Sequence, residues 1–336
     1  MSTMELAAKT IKTLSMDAVE AAQSGHPGMP MGMADAATVL WTRFLKFNPD
    51  DPEWADRDRF VLSAGHGSML LYSLLHLSGY PEMTLDEIKQ FRQWGARTAG
   101  HPEFGEAGGI ETTTGPLGQG ISNAVGMALA ERLIAERVND AESNLVDHYT
   151  YTIAGDGCLM EGVAYEAASL AGHLKLGKLI VLFDDNSITI DGSTDISFSE
   201  DIVARFESFG WHATRIDGHN HDEVAAAIQA AQDESERPSI ICCRTHIGHG
   251  SPNKQDKSAA HGAPLGAEEI RLTKEGMGWP QEPAFHVPAE ARTLFEKAAN
   301  RGREEYATWK IKEEGASSAK KRWLTSTPPT PSSAEI

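Results

Sequence analysis

The alternation of strands and helices between residues 149 and 245 most constrains what this chain can fold into. Short apolar, β-branched runs predict strands over residues 149–153, 179–183, 211–216 and 239–245. Helical spacing of apolar residues predicts helices between them, over residues 161–173, 200–209 and 222–233. Strands that alternate with helices of these lengths form a parallel sheet with helices on both faces. We therefore predict an α/β fold whose ligands bind beyond the carboxyl ends of the strands.

The rest of the chain divides into the remainder of one domain and a short tail. Further helices are predicted over residues 4–23, 33–45, 69–77, 121–138 and 289–312. After residue 312 the sequence becomes rich in Ser, Thr and Pro, a composition typical of a linker or a frayed end. We predict that residues 1–312 form one domain and that residues 313–336 are disordered.

Composition excludes several classes of partner. The formal net charge of −18 disfavours non-specific binding to nucleic acid or anionic membranes, since both favour a basic surface. No apolar stretch reaches the length of a membrane span, and the first residues lack the basic and apolar regions of a signal peptide. The three cysteines suggest no disulfide framework. We expect a cytoplasmic protein that binds neither nucleic acid nor membrane.

Two polar clusters follow successive predicted strands. Asp156 lies between two glycines directly after the strand at residues 149–153, and Asn186 follows the strand at residues 179–183. Taken singly, each residue suits a turn or a helix cap. Taken together, they place a carboxylate and a carboxamide at one crevice, and Mg²⁺ prefers such oxygen ligands, to which the Ile188 carbonyl could add. We predict a divalent metal site that carries a diphosphate; no Cys/His cluster has the spacing of a zinc site.

A Gly-rich segment and two acids are weaker candidates. Residues 115–120 open a predicted helix, whose free N–H groups could face a phosphate. A helix entry made only for packing explains the same glycines. Glu161 and Glu166 lie at the start of a predicted helix, where acids are favoured, so their spacing alone implies no function.

Four loop histidines are candidates for proton transfer. His26, His66, His101 and His261 all stand beside Gly or Pro. A single histidine in a loop is usually a surface residue. Four of them in such settings, on a chain with a candidate diphosphate site, favour a role in acid–base chemistry.

The order of these segments resembles the thiamine diphosphate-binding N-terminal domain of transketolases. The resemblance runs from about residue 4 to residue 312 and rests on the motifs SGHPG, LSAGHGS, ETTTGPLGQG, GDGC, DNSITIDG and HGAPLG. It implies the thiamine-diphosphate-binding fold, in its diphosphate-binding form. It also implies transfer of a two-carbon ketol unit from a ketose phosphate to an aldose phosphate, with thiamine diphosphate and Mg²⁺ or Ca²⁺ as cofactors.

The resemblance assigns cofactor contacts by position. Asp156, Asn186 and the Ile188 carbonyl correspond to the metal ligands. Gly157 and His66 correspond to contacts of the diphosphate, and Asn186 belongs to the same cofactor site. The strip beside the aminopyrimidine ring corresponds to the backbone of Gly115, Pro116 and Leu117.

The resemblance also assigns catalytic and interface residues. His26, His101 and His261 correspond to residues that bond donor hydroxyls and handle protons, and His261 also lies near the diphosphate. Glu161 and Glu166 correspond to acids that relay protons between paired active sites across the family's dimer.

Three hypotheses follow from what the chain does not contain. A complete transketolase also has a pyrimidine-binding domain, which supplies the glutamate that activates the cofactor and the arginines that hold substrate phosphate. The first hypothesis is the N-terminal part of a split transketolase, completed by a pyrimidine-domain chain in a homo- or hetero-oligomer. The second is a truncated, non-catalytic thiamine diphosphate-binding or interaction module. The third is part of an enzyme similar to dihydroxyacetone synthase.

Overall fold

The computed structural model describes residues 1–325, and a five-stranded parallel sheet lies at its centre. The described strands are β1 (Arg59–Leu62), β2 (Thr150–Gly155), β3 (Leu179–Asp185), β4 (Ile188–Thr189), β5 (Gly192–Ser193), β6 (His212–Asp217) and β7 (Ser239–Arg244). The central sheet has the order β1–β2–β3–β7–β6, while β4 and β5 form a separate antiparallel hairpin. The predicted α/β fold with a parallel sheet is confirmed.

Burial explains why the central strands are continuous apolar runs. Every residue of β3 except its last is buried, and β7 is likewise buried up to its last residue. Such runs are typical of parallel strands that are covered by helices on both faces. β6 lies at an edge, and its residues are partly buried or exposed.

Helices cover both faces of the sheet. The described α-helices are α1 (Thr3–Ala22), α2 (Gly28–Val39), α3 (Ser68–Ser78), α4 (Leu85–Lys89), α5 (Gln119–Val138), α6 (Asp156–Met160), α7 (Gly162–His173), α8 (Ile202–Ser208), α9 (His221–Asp233), α10 (Ala267–Gly276), α11 (Ala289–Gly315) and α12 (Ser318–Lys321). α1 begins at a capping box, in which Ser2 and Glu5 each bond the backbone N–H of the other. No helix within residues 1–325 combines the length and the apolar character needed to cross a bilayer.

The described helices differ from the sequence predictions in the start of α2 and in four helices that were not predicted, α4, α6, α10 and α12. α2 begins at Gly28 rather than at residue 33, since Pro30 lies in its first turn, where a missing N–H costs little. The helix continues through a π-helical turn at Leu40–Phe44. α6 was not predicted, because a helix of one turn shows no periodicity in the sequence.

The chain after residue 312 is structured in its described part. α11 extends to Gly315, and α12 and a 3₁₀ turn (Arg322–Leu324) follow it. Trp323 packs against a buried cluster that includes Val138, and its ring centroid lies 4.8 Å from the Arg137 guanidinium carbon. The disorder expected from residue 313 is therefore not seen up to residue 324. Residues 326–336 of that expectation lie outside the described residues, and the domain boundary at residue 312 stays a prediction.

Gly302→Ala should destabilise the fold, because α11 packs directly on the backbone of Phe47. A Cβ at Gly302 would lie 1.7 Å from the Phe47 carbonyl oxygen. Overpacking of this kind costs about 1–3 kcal/mol, and we expect a loss of that size in the free energy of unfolding measured by urea denaturation. Gly126→Ala in α5 is the matched control, since a Cβ there meets nothing within 4 Å. The control should gain up to about 1 kcal/mol from helix propensity, so equal losses in the two variants would contradict this account.

Candidate functional site

A cavity of about 270 Å³ opens beyond the carboxyl ends of β2 and β3. Parallel strands end at the same edge of a sheet, so the polar residues that follow them meet there. Most of the predicted site residues line this cavity, namely His26, His66, Gly115, Leu117, Asp156, Gly157, Asn186, Ile188 and His261. Segments that are far apart in the sequence therefore converge on one site.

Asp156, Asp184 and Asn186 form the acidic side of the cavity. Asp156 directly follows β2, whose last residue pairs with Asp184 of β3. The Asn186 side chain donates from Nδ2 to Asp184 Oδ2 at 2.8 Å and accepts the Ile188 N–H at 2.9 Å. The Thr245 hydroxyl also donates to the Asp184 carboxylate. These bonds fix the orientation of the Asn186 amide at the cavity wall.

Arg244 only partly offsets the negative charge on this side, since its effect on the pKa of both carboxyl groups is smaller than that of burial. Burial, and next the charges of Asp184 and Asp185, raises the pKa of Asp156 to about 8. Burial also raises the pKa of Asp184 to about 6, although hydrogen bonds from Thr245 and Asn186 oppose the change. Asp156 Oδ2 is buried and has no hydrogen-bond partner among the described residues. A divalent cation at this oxygen would provide the missing partner, so the residues present fit a hard metal ion.

Three histidine rings form a cluster on the cavity wall. The His66 and His261 rings are stacked with centroids 5.1 Å apart, and the His26 ring lies 5.2 Å from His66 and 5.7 Å from His261. His101 does not line the cavity itself; its exposed ring lies 6.5 Å from that of His26. The four predicted histidines are therefore neighbours, with His101 outermost.

Burial keeps these rings uncharged. Burial, and next the charge of His261, lowers the pKa of His26 to about 4 and that of His66 to about 3. Burial also lowers the pKa of His261, and partial burial, with the charge of Arg92, lowers that of the more exposed His101. His261 Nδ1 is buried and has no hydrogen-bond partner among residues 1–325. A neutral ring has one donor and one acceptor nitrogen, so this cluster can bind hydroxyl groups and transfer protons.

The Gly-rich segment reaches the cavity only with its first residues. Gly115 and Leu117 line the cavity, whereas Pro116 is exposed and is not part of the wall. In the first turn of α5, the Ile121 N–H donates to Ser63 Oγ at 3.0 Å. This N–H already has a protein partner and is not free to bind a phosphate.

Glu161 and Glu166 lie outside the cavity. Glu161 directly precedes α7, Glu166 lies within it, and both side chains are exposed. Val163 and Leu170 of α7 are exposed as well, by 42% and 46%. Their spacing from Glu166 places the three side chains on one helix face. The acids therefore belong to an outer surface that carries apolar side chains.

Sequence reasoning missed several residues of the site. Arg92 Nη2 lies 3.4 Å from His26 Nδ1, and Arg92 Nη1 donates to Ser24 Oγ at 2.8 Å. Met29 and Ile247 contribute apolar wall. None of the three stands in a pattern that carries chemistry. Only the folded chain brings Met29 and Ile247 to the cavity wall and Arg92 to His26. Asp184 directly follows a predicted strand, which was a signal, but nothing in the sequence distinguishes it from Asp185.

Comparisons with known proteins agree with this geometry. Residues 3–323 match the protein family described as transketolase, thiamine diphosphate binding domain. The chain is 58% identical over 306 residues to a transketolase of Halalkalibacterium halodurans, covering 91% of this chain and 46% of that protein. It is 59% identical over 305 residues to a transketolase of Cereibacter sphaeroides, again covering 91% of this chain and 46% of the relative.

Solved structures give the same result. A transketolase from Leishmania mexicana superposes with a TM-score of 0.92 at 46% identity, over 94% of this chain and 47% of the other. A transketolase from Pichia stipitis in complex with fructose 6-phosphate superposes with a TM-score of 0.92 at 45% identity, over 94% and 46%. The chain therefore spans about half the length of the relatives it matches.

His66→Gln should make the stability of the protein less sensitive to acid. The pKa of His66 is about 3 in the folded protein and 6.5 as the reference, so the folded state binds fewer protons and stability falls as pH falls between these values. Between about pH 8 and pH 5 this group alone should lower the free energy of unfolding of the wild type by about 2 kcal/mol. The free energy of unfolding of His66→Gln should fall by about 2 kcal/mol less over the same range. His173→Gln, at the exposed end of α7, is the control and should follow the wild type in urea denaturation. Identical pH profiles for all three proteins would contradict the burial of a neutral His66.

Proposed function

From the premise that this chain belongs to the transketolase family, as its N-terminal section, we propose that it binds Mg²⁺–thiamine diphosphate and acts in ketol transfer. The proposed reaction moves a two-carbon unit from a ketose phosphate to an aldose phosphate. The observation that carries the proposal is the buried, unpartnered Oδ2 of Asp156, beside Asp184 in a cavity that neutral histidines also line.

Three residues would hold the metal ion. Asp156 offers a carboxylate, Asn186 an amide oxygen and Ile188 a backbone carbonyl, all on the cavity wall. Mg²⁺ commonly takes one or two carboxylates from the protein and further oxygens from ligand phosphates, and Ca²⁺ accepts the same donors. Gly157 and His66 line the same cavity beside these ligands and would contact the diphosphate, as would His261.

The cofactor brings the reactive carbon, and the chain brings placement and proton transfer. When bound, thiamine diphosphate supplies the carbanion chemistry of ketol transfer. Gly115 and Leu117 would border the ring system of the cofactor, and Pro116 would lie on the outer side of these two residues. His26, His101 and His261 would bind hydroxyl groups of the sugar and transfer protons to and from them, since their pKa values are lowered and their rings are neutral.

A pyrimidine-binding domain is the proposed partner, on a second chain or elsewhere in the same polypeptide. The chain corresponds to about 46% of its relatives, which leaves the remainder to such a domain. Trp94 is fully exposed and Phe104 is 68% exposed, and both flank His101 in the sequence. Large exposed apolar side chains of this kind mark interaction surfaces. Glu161 and Glu166 would act at the contact made by α7, and a cytoplasmic location stays a prediction.

Asp156→Asn should abolish metal-dependent binding of the cofactor. The substitution keeps the shape of the side chain but removes the carboxylate charge that the cation needs. We expect the affinity for thiamine diphosphate in the presence of Mg²⁺, measured by calorimetry, to fall on the order of 100-fold, about 2.7 kcal/mol. Asp195→Asn removes an exposed carboxylate that does not line the cavity and should bind as the wild type does. Retention of wild-type affinity in Asp156→Asn would remove the metal site from the proposal.

Ketol transfer should appear only when a pyrimidine-binding domain is present. We expect the chain, mixed with the separately produced second half of a transketolase relative, to convert xylulose 5-phosphate and ribose 5-phosphate in a coupled assay. His261→Ala should lower the turnover by about 100-fold or more while the chain still folds. Cofactor binding without turnover in any such mixture would favour the non-catalytic module. Turnover with formaldehyde as acceptor in preference to ribose 5-phosphate would favour the dihydroxyacetone synthase alternative.

A further inference from the structure

Asp35 gathers a second cluster of titratable side chains, outside the cavity. Lys12 Nζ lies 2.8 Å from Asp35 Oδ2, and His219 Nδ1 lies 3.0 Å from the same oxygen. His221 Nε2 lies 3.0 Å from Asp35 Oδ1, and His249 Nδ1 lies 2.8 Å from Lys12 Nζ. Asp35 and Lys12 are buried. One carboxylate thus connects α1, α2, the start of α9 and the loop after β7.

The hydrogen bonds fix the protonation of this cluster. An ammonium group can only donate, so His249 Nδ1 accepts from Lys12 and the His249 ring is neutral. The His246 backbone N–H donates to His219 Nε2 at 3.1 Å, so His219 donates to Asp35 through Nδ1. Burial would raise the pKa of Asp35, but the three surrounding histidines and the Lys12 charge hold it well below its usual range.

The cluster carries its own cation. The ligand atoms of Asp35, His219 and His249 lie within 4.8 Å of one another, a set that would suit a transition metal ion. Lys12 Nζ already lies 2.8 Å from both Asp35 Oδ2 and His249 Nδ1. An ammonium group therefore takes the place that a metal ion would occupy, and we assign no metal to this cluster.

The loop of residues 245–261 connects the cluster with the cavity. His249 and the His246 N–H belong to the cluster, whereas Ile247 and His261 line the cavity. Ile247 lies between His246 and His249 in the sequence, so residues of the cluster and residues of the cavity wall are close neighbours in this loop. A shift of the loop at the cluster would therefore displace the cavity wall.

Close backbone contacts hold this loop against α2. The Gly248 N–H donates to the Gly28 carbonyl at 2.9 Å. A Cβ at Gly28 would lie 2.4 Å from the Ala260 carbonyl oxygen, and one at Gly32 would lie 3.1 Å from the His246 carbonyl oxygen. The loop backbone packs closely on α2, so a displacement of the loop at the Asp35 cluster would also displace its residues at the cavity wall.

We propose that Asp35 is a positioning residue for the cavity. Through Lys12, His219 and His249 it holds the loop of residues 245–261 in the position at which Ile247 and His261 face the ligand. The identity of that ligand, Mg²⁺–thiamine diphosphate, rests on the proposed function; the anchoring of the loop does not.

Acid should release the loop, because neutral rings make the contacts. Burial lowers the pKa of His249; Asp35 of α2 raises it, while Lys12 of α1 and His219 lower it. With a folded-state pKa below the unfolded value, the stabilisation is present above the unfolded pKa and is lost as pH falls through the folded pKa. His246 is the further titratable group beside this ring, with centroids 6.0 Å apart. Protonated His249 would place a second cation against Lys12.

The test is a double variant that removes the buried ion pair without leaving a lone charge. Lys12→Met/Asp35→Asn loses both charges together, which buried pairs tolerate far better than the loss of one partner. We expect faster hydrogen exchange across residues 245–261 in the ligand-free protein, the Gly248 N–H included. We also expect thiamine diphosphate with Mg²⁺ to bind about tenfold more weakly or worse in calorimetry.

A second buried lysine–aspartate pair provides the matched control. Lys274 Nζ lies 2.8 Å from Asp17 Oδ1, and this pair joins α10 to α1 with both side chains 4% exposed. Lys274→Met/Asp17→Asn should change stability by a similar amount but leave the exchange of the Gly248 N–H and the cofactor affinity as in the wild type. Equal losses of affinity in the two double variants would overturn the proposal, as would unchanged loop exchange in Lys12→Met/Asp35→Asn.

His249→Phe separates positioning from general stability. Its ring can keep the packing on His219, whose centroid lies 3.7 Å from that of His249, but it cannot take a proton. We expect weaker binding than in the wild type at about pH 8, because the hydrogen bond from Lys12 is lost, and a smaller further loss of affinity than in the wild type between about pH 8 and pH 5.5. A pH dependence identical to that of the wild type would overturn the role of His249. Failure of the wild type to bind thiamine diphosphate would refute the proposed function but not the anchoring of the loop, because hydrogen exchange measures the anchoring without the ligand.

Discussion

The parallel pairing of β2 with β3 is the constraint on which the site depends. Its register sets the last residue of β2 beside Asp184, so that Asp156 and Asn186, which directly follow the two strands, meet at one level. A shift of one residue would turn the side chains of either strand to the other face. The buried apolar residues of both strands prevent such a shift, and the same burial that forms the core therefore fixes the spacing of Asp156 and Asn186.

Charge within the cavity is arranged by burial more than by ion pairs. On one side, burial raises the pKa of Asp156 and Asp184, and on the other it lowers the pKa of His26 and His66. Both effects favour the neutral form of each group. Among the described residues, Asp156 Oδ2 has no hydrogen-bond partner, whereas Asp184 accepts hydrogen bonds from Thr245 and Asn186. These buried carboxyl groups lie beside neutral rings in one cavity of a chain whose overall charge is −18.

Much of this was predictable from the sequence, for physical reasons that particular residues show. The strands were evident because β3 and β7 are buried on both faces and so must be apolar throughout, and the polar residues after β2 and β3 marked the ligand edge. Arg92 and Asp35 were not predictable, since each contacts partners that are distant in the chain. Arg92 contacts Ser24 and His26, and Asp35 contacts His219 and His221. The predicted start of α2 was wrong because Pro30 is compatible with the first turn of a helix as well as with a loop, and the sequence does not distinguish the two.

α2 explains how two clusters of histidines can serve one site. His26 and Met29 lie at its N-terminal end, on the cavity wall, and Asp35 lies two turns further along, roughly 10 Å away at 1.5 Å per residue. A helix transmits position as a rigid element, so the two clusters keep a fixed separation. The loop of residues 245–261 touches both ends of this span, at the Gly28 carbonyl and at the Asp35 cluster. Two contacts with one rigid helix determine both the position and the orientation of the loop, which a single contact cannot do. His261, at the end of the loop, depends on both contacts to face the cavity.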